Sequence, residues 1–474
     1  MRFPQIALLI ACGILFVLPV ASQSPNGTIN GLVLDPSGGA IVGAAIVIVN
    51  DATGVQYSSK TNDEGIYVLH NLPPGPYRVQ LSKIGFKTLI KPDIILNVQD
   101  ALSINFTLPI GALSETVTVE GGAPLVNTES ATVSTVVDRQ FAENLPMNGR
   151  SFQTLIELTP GVVLTASNHF DGGQFSVNGQ RAASNYWMVD GVGANIGIGM
   201  NSQAVPGNGL GGSLGSFSAL GGTSSLVSVD ALQEFRIQTS SYAPEFGRTP
   251  GGQISIVTRS GTNQFHGTVF DYLRNDVFDA NNWFNGYTNS PPLPKAKERQ
   301  NDVGGTFSGP ILKNHTFFFF SYEGLRLQLP QTAITTVPDI NARNSAVSAM
   351  QPYLNAYPLP NGSDNIETGI ANFNASYSTP ATLDAYSLRI DHKLTNRWTL
   401  FGRYNYSPSE IVQRAQGLYS ANTVNPTHIT TQTATVGATW LVDPYIRPMT
   451  SDSTTAEQTP LATTIWTTWE ALLR

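Results

Sequence analysis

Residues able to do chemistry are sparse in this chain. Its six histidines, at 70, 169, 266, 315, 392 and 428, are scattered and form neither His-x-x-Glu nor His-Glu-x-x-His. A zinc site therefore has no support. Cys12 is the only cysteine, so no disulfide framework is expected. Residues 191–229 carry eleven glycines and no charge, but no Gly-Lys-Ser/Thr follows a strand to make them a phosphate loop. Acidic pairs exist, yet nothing joins a nucleophile, a base and a stabiliser in one cleft. The expectation is a non-enzyme without metal or cofactor. The segment that stands out is Glu115-Thr116-Val117-Thr118-Val119, acidic-led and alternating. Its chemistry would be strand addition, in which main-chain hydrogen bonds supply affinity and side-chain identity matters little.

The elements that must position this segment are strands. Charged residues make up 12% of the 474, against roughly 25% in ordinary soluble domains. A net charge of −7 argues against nucleic-acid binding, which needs a basic stripe. Low charge with many Ser, Thr, Asn and Gly points to short strands and turns. At the start, Arg2, the apolar run Ile6 to Leu18 and Pro19-Val20-Ala21-Ser22 read as a signal peptide over 1–22 that removes Cys12. The alternative lipobox reading of Leu9-Ile10-Ala11-Cys12 is disfavoured because the apolar run continues past Cys12. No later run could span a bilayer as a helix, so any membrane crossing must use β-strands.

Residues 24–110 alternate in short runs broken by turn residues about every ten positions, as a β-sandwich of about seven strands would. Tyr77-Arg78-Val79-Gln80-Leu81 sorts apolar and polar residues onto opposite faces. The motifs Ile29-x-Gly31-x-Val33-x-Asp35, Thr61-x-Asp63-x-Gly65-x-Tyr67 and Leu72-Pro73-Pro74-Gly75-x-Tyr77-x-Val79 resemble the carboxypeptidase-regulatory-like domain. That resemblance implies an accessory sandwich, for which carbohydrate binding is often inferred, and a plain spacer serves equally well. After the sandwich, Glu115 to Val119 resembles the TonB box. The resemblance implies that residues 111–126 are a linker offering this strand to a TonB-type energy-coupling protein.

Residues 127–262 mix short helices and strands. Leu145-Pro146-x-Asn148-Gly149-Arg150, Leu158-Thr159-Pro160-Gly161-Val162, Val177-Asn178-Gly179-Gln180-Arg181, Asp190-Gly191-Val192 and Asp230-Ala231-Leu232-Gln233-Glu234-Phe235 occur in that order. The run Gly251 to Asn263 closes the segment. These motifs resemble the plug domain of TonB-dependent transporters, and the order of domains is similar to the Oar-like subgroup.

From 263 to 444 the strand pattern is informative without any motif. Six strands are expected, at about 264–274, 299–309, 314–328, 384–394, 397–407 and 430–442. Their connections alternate long, short, long, short, long, which is the pattern of an outer-membrane barrel. In the fourth strand Tyr386, Leu388, Ile390 and Leu394 would face lipid, and Ser387, Arg389, Asp391 and Lys393 the lumen. In the fifth, Trp398, Leu400, Tyr404 and Tyr406 alternate with Thr399, Arg403 and Asn405. Phe317 to Phe320 breaks strict alternation and reads as a strand packed on the plug. A plugged barrel has roughly 22 strands, so six strands describe only part of one. After Asp443-Pro444 the pattern stops, and 445–474 is expected to be a divergent tail from truncation, with a frameshift near codon 444 as its source.

The combined expectation is a mainly β protein: a sandwich, an α+β plug and the first strands of an antiparallel transmembrane β-barrel. The resemblance implies an outer-membrane receptor that takes up an unidentified siderophore, glycan or peptide. Its partners would be a TonB-type protein and outer-membrane lipid, with no nucleic acid. A chain that could not insert would be periplasmic or misassembled. The alternative is a secreted or surface carbohydrate-binding or adhesion protein acting through the sandwich.

Overall fold

The computed structural model describes residues 25–119, 132–144, 153–164, 175–181, 184–195, 227–242, 246–247, 249–281, 283, 295–365, 367–395, 397–414, 422–440 and 464–470. The signal segment, most of the glycine-rich stretch, Leu145 to Arg150 and the junction at Asp443-Pro444 lie outside them.

Two sheets face each other at the N-terminus. The first carries β1 (Gly27–Leu34) beside β4 (Ile66–Leu72), with β7 (Ala101–Ser103) and β8 (Phe106–Thr107) parallel to β1. The second runs β3 (Gln56–Lys60), β2 (Ala45–Asn50), β5 (Gly75–Ser82), β6 (Thr88–Leu96) and β9 (Thr116–Thr118). Strict alternation places Ile29 and Val33 of one sheet and Tyr77, Val79 and Leu81 of the other in a shared core. Gly31 permits the closest approach: a Cβ there would lie 1.9 Å from the Ile104 carbonyl oxygen. Tyr67 is buried, and its hydroxyl donates to that carbonyl at 2.8 Å, so this phenol is not left unsatisfied.

The middle of the chain forms a small α+β unit. Its sheet runs β10 (Val133–Asp138), β15 (Leu232–Ser240), β16 (Gln253–Thr258), β13 (Tyr186–Val189) and β14 (Val192–Gly193). A separate hairpin joins β11 (Val162–Leu164) to β12 (Phe175–Val177). Two short helices, α1 (Arg139–Asn144) and α2 (Gln153–Ile156), complete the described part. Phe235, Ile237, Ile254, Ile256, Trp187 and Val189 form its core.

The C-terminal strands form one antiparallel wall: β17 (His266–Asn275), β18 (Arg299–Leu312), β19 (Thr316–Pro338), β21 (Ile370–Lys393), β22 (Trp398–Arg414), β23 (Val424–Trp440) and β24 (Thr464–Glu470), with β20 (Asp364–Asn365) beside β21. The wall is an open sheet among the described residues. Two corrections to the expected strands follow. β19 and β21 pair without interruption from Thr316↔His392 to Pro338↔Ile370, far past the expected ends at 328 and 384. The long connection between them keeps only α3 (Ile340–Ser345), α4 (Gln351–Asn355) and β20. Within the tail, residues 464–470 add an antiparallel strand to β23, so that part of it continues the sheet pattern.

The two faces of the wall are sorted by chemistry. Leu388, Ile390 and Tyr404 are exposed on the outer face, while Arg403 and Asn405 are buried on the inner one. Tyr322, Tyr386 and Tyr406 form an outward row with centroids 4.9 and 6.1 Å apart. Near the tight turns, Trp398 stacks on Trp440 at 5.4 Å and Phe265 on Phe307 at 5.9 Å. Trp398 and Tyr406 are eight residues apart, about 26 Å along the strand and about 20 Å after barrel tilt. These rows are the aromatic girdles of a lipid-facing band. One pleat beyond the tyrosines, the outer face turns charged, with Asp384 paired to Arg326 at 2.9 Å.

Candidate functional site

The central unit is gripped from two sides, and each grip grows from local backbone chemistry. On the barrel side, Asp190 and Gly191 both have positive φ, at 50° and 83°. They make the two-residue turn between β13 and β14 that an Asp-Gly pair favours. The turn aims the Asp190 carboxylate at the wall. The Thr258 N–H donates to Oδ1 at 2.9 Å and the Thr258 hydroxyl to Oδ2 at 2.9 Å. From the wall, Arg389 Nη1 donates to Oδ1 at 3.0 Å. Arg403 Nε lies 3.2 Å from Oδ2, close enough to pair by charge though not aligned to hydrogen-bond. Asp391 binds the other side of Arg389 at 2.8 Å, and the guanidinium lies 4.7 Å over the Phe401 ring. Two acids meet two arginines, so the buried group is neutral in sum. Phe319 of β19 enters the central core directly, as the Phe317 to Phe320 run implied, and Arg259 lies 5.1 Å over its ring.

On the sandwich side, β15 turns Phe235 and Ile237 inward, which leaves Glu234, Arg236 and Gln238 on the opposite face. The connection from β6 to β7 docks there. Asp100 forms a buried ion pair with Arg236, and the Val98 N–H donates to Glu234 Oε1. Gln99 donates to the Ser255 hydroxyl at 2.9 Å and accepts from Gln238 at 2.8 Å. Burial pushes the Glu234 carboxyl up to about 8; the Asp100 and Asp138 charges add to this, while the Val98 N–H and Arg236 oppose it. A third contact ties the sandwich to the rim of the wall. Asn263 donates from its side chain to the Thr53 carbonyl at 2.7 Å and accepts from the Asn314 N–H at 2.8 Å. The sandwich therefore sits at the short-turn end of the barrel strands, which is the periplasmic end.

The structure places the strand-addition segment on the sandwich, where a linker was expected. β9 pairs parallel with β6, Thr88↔Thr116 through Ile90↔Thr118. The Thr88 N–H donates to the Glu115 carbonyl at 2.8 Å and the Val119 N–H to the Ile90 carbonyl at 2.9 Å. Glu115 pairs with Lys87 at 2.6 Å while both stay well exposed, which contributes little stability. Val119 packs on the sandwich core. Residues 196–226 of the glycine-rich stretch lie outside the described residues. No group of three or more metal-capable side chains converges among the described residues.

Sequence reading puts Arg389, Asp391 and Arg403 on the lumen face and Asp190 in the Asp190-Gly191-Val192 motif, but does not join them. It missed Asp100, Glu234 and Arg236. The signal available for those was a strand with three polar residues opposite a fully apolar face, which calls for a polar neighbour.

Residues 28–109 match the carboxypeptidase regulatory-like domain, and residues 257–353 and 345–447 match the outer membrane beta barrel domain. The TonB-dependent transporter Oar of Myxococcus xanthus is 29% identical over 336 residues, 67% of this chain and 28% of that protein. The chain thus spans under a third of that relative's length. Among solved structures, the outer membrane transporter YddB from Escherichia coli aligns at 13% identity and TM-score 0.43, over 65% of this chain and 36% of that one. An R480A mutant of the ferric enterobactin receptor PfeA from Pseudomonas aeruginosa, in complex with enterobactin, aligns at 15% identity and TM-score 0.41, over 67% and 40%. With a regulatory-like sandwich ahead of an outer-membrane barrel wall, the chain is similar to a TonB-dependent transporter and carries the barrel domain of an outer-membrane protein.

Proposed function

We propose that the protein serves energised uptake of a ligand across the outer membrane, by binding and conformational change rather than covalent catalysis. The observation that carries this reading is Asp190, a plug carboxylate buried between barrel arginines 389 and 403. A soluble sandwich module has no use for a second domain seated by charge against a lipid-facing wall. On this reading Glu115, Thr116, Val117, Thr118 and Val119 are the contact for a TonB-type energy-coupling protein. The ligand is a siderophore, glycan or peptide. Carbohydrate capture by the sandwich alone is less well supported: Tyr57, Tyr67 and Tyr77 are buried, and its exposed large apolar residues, such as Ile66, Ile84 and Ile95, are aliphatic.

The test is fractionation of cells expressing the chain, followed by accumulation assays with labelled candidate ligands. Outer-membrane material with heat-modifiable migration, and uptake lost on collapse of the proton-motive force, are expected. Uptake that survives that collapse would remove the energised reading.

A further inference from the structure

We propose that the coupling protein adds its strand to the outer edge of β9 while β9 stays paired to β6, making the sandwich part of the coupled sheet. This inference rests on the assignment of residues 115–119 above.

β9 is the last strand of its sheet, and among the described residues no strand pairs with its outer edge. The hydrogen bonds between the two strands fix which backbone groups are in use. Glu115 accepts from β6 and Val119 donates to it, and in a parallel pair alternate residues bond to the same neighbour. The N–H and C=O groups of Thr116 and Thr118 therefore point away from the sandwich. Both threonines are exposed, and β-branched residues suit an extended edge. Val117 is half-buried toward the sandwich and Val119 packs on its core, so departure would strip apolar contacts and uncover the edge of β6 at Leu89, which is 3% exposed. Staying in place keeps those contacts and leaves the free edge ready.

Docking in place also gives the pull a short route. β6 ends at Leu96, and the next four residues are the ones that clasp Glu234, Arg236 and Ser255 of the plug. Load on β9 enters β6 through the ladder and reaches β15 through Asp100 and Arg236, without first stretching the chain after Val119.

The experiment uses the full chain in a Cys12→Ser background, in detergent, with the purified periplasmic domain of the source organism's TonB protein as probe. An Ile90→Cys/Thr118→Cys pair can lock β9 to β6, because registered neighbours lie within disulfide reach. Expected is an affinity within about twofold between the oxidised and reduced forms. Thr116→Pro removes only an outward donor, so it should weaken binding at least tenfold while 90–118 cross-linking still proceeds. Loss of binding on oxidation, restored by reduction, would overturn the inference and leave the assignment of 115–119 standing. A Thr116→Pro variant that binds normally would also overturn it. Binding that survives deletion of 115–119, or that is absent in every form, would sink the assignment itself. A concentration-dependent dimer that Thr116→Pro abolishes would replace the coupling protein by a second copy as the occupant.

Discussion

The plug is held at both ends by buried charge, but the two grips are balanced differently. At the barrel, Asp190 and Asp391 face Arg389 and Arg403, two acids against two bases. At the sandwich, Asp100 and Glu234 share Arg236, one cation short. Glu234 meets that deficit by holding a proton up to about 8. The comparison teaches that one grip is built to stay and the other to be adjustable. Docking of the sandwich, through Glu234, is the grip that reads the medium.

The largest test of that contrast is Asp190→Ala. It leaves Arg389 and Arg403 buried without their shared carboxylate, which costs about 3–5 kcal/mol of plug seating. Urea titration followed by protease access to the plug should show the loss; a wild-type midpoint would break the idea of a permanent grip. Arg236→Ala comes next and leaves Asp100 beside Glu234 with no cation. About 3 kcal/mol of docking should go, read as faster hydrogen exchange at the Val98 amide while Asp190 and its partners remain protected.

The pH test is finer. Glu234's ordinary value is 4.5 and its docked value about 8, so the docked state binds the extra proton. By linkage, docking is strongest below about 4.5, weakens as pH rises through the window to 8, and levels off above it. Val98 exchange should follow that curve, and Glu234→Gln should flatten it; a curve unchanged in the Gln variant would locate the titration elsewhere. The smallest effect belongs outside both grips. Tyr386→Ala removes two ring contacts from the outer row and should cost about 1 kcal/mol, with neither Val98 exchange nor plug protection altered.

How far the fold was legible follows from the solvent at each residue. Where one strand face meets lipid and the other the plug, period two is written plainly: Tyr386, Leu388 and Ile390 against Ser387, Arg389 and Asp391. Beyond the tyrosine row the strand turns polar, and Ser378-Thr379-Pro380-Ala381-Thr382 carries little apolar alternation. Pro330, Pro380, Pro408 and Pro426 sit in the same region and argue against strand. Pairing nonetheless continues there, because the neighbouring strand supplies hydrogen bonds whatever the side chains. The Asp190 group was legible as separate parts, a turn and two lumen arginines, since no sequence rule sets which turn reaches which strand. The β6–β9 pairing left least trace. A five-residue alternating segment reads the same whether it is free or docked on its own domain.

The uninterrupted β19–β21 ladder has a consequence for what the cell presents outward. A bilayer crossing needs about ten residues per strand, and β21 has 24. The surplus of about 14 residues carries this hairpin about 35 Å beyond the hydrocarbon core after tilt, with α3 and α4 at its tip. An antibody, a phage tail fibre or a protease approaching from the medium would touch that mast well before it touched membrane. The surface met first from the medium is then the summit of one hairpin, 19 residues along β21 from Arg389 at the plug.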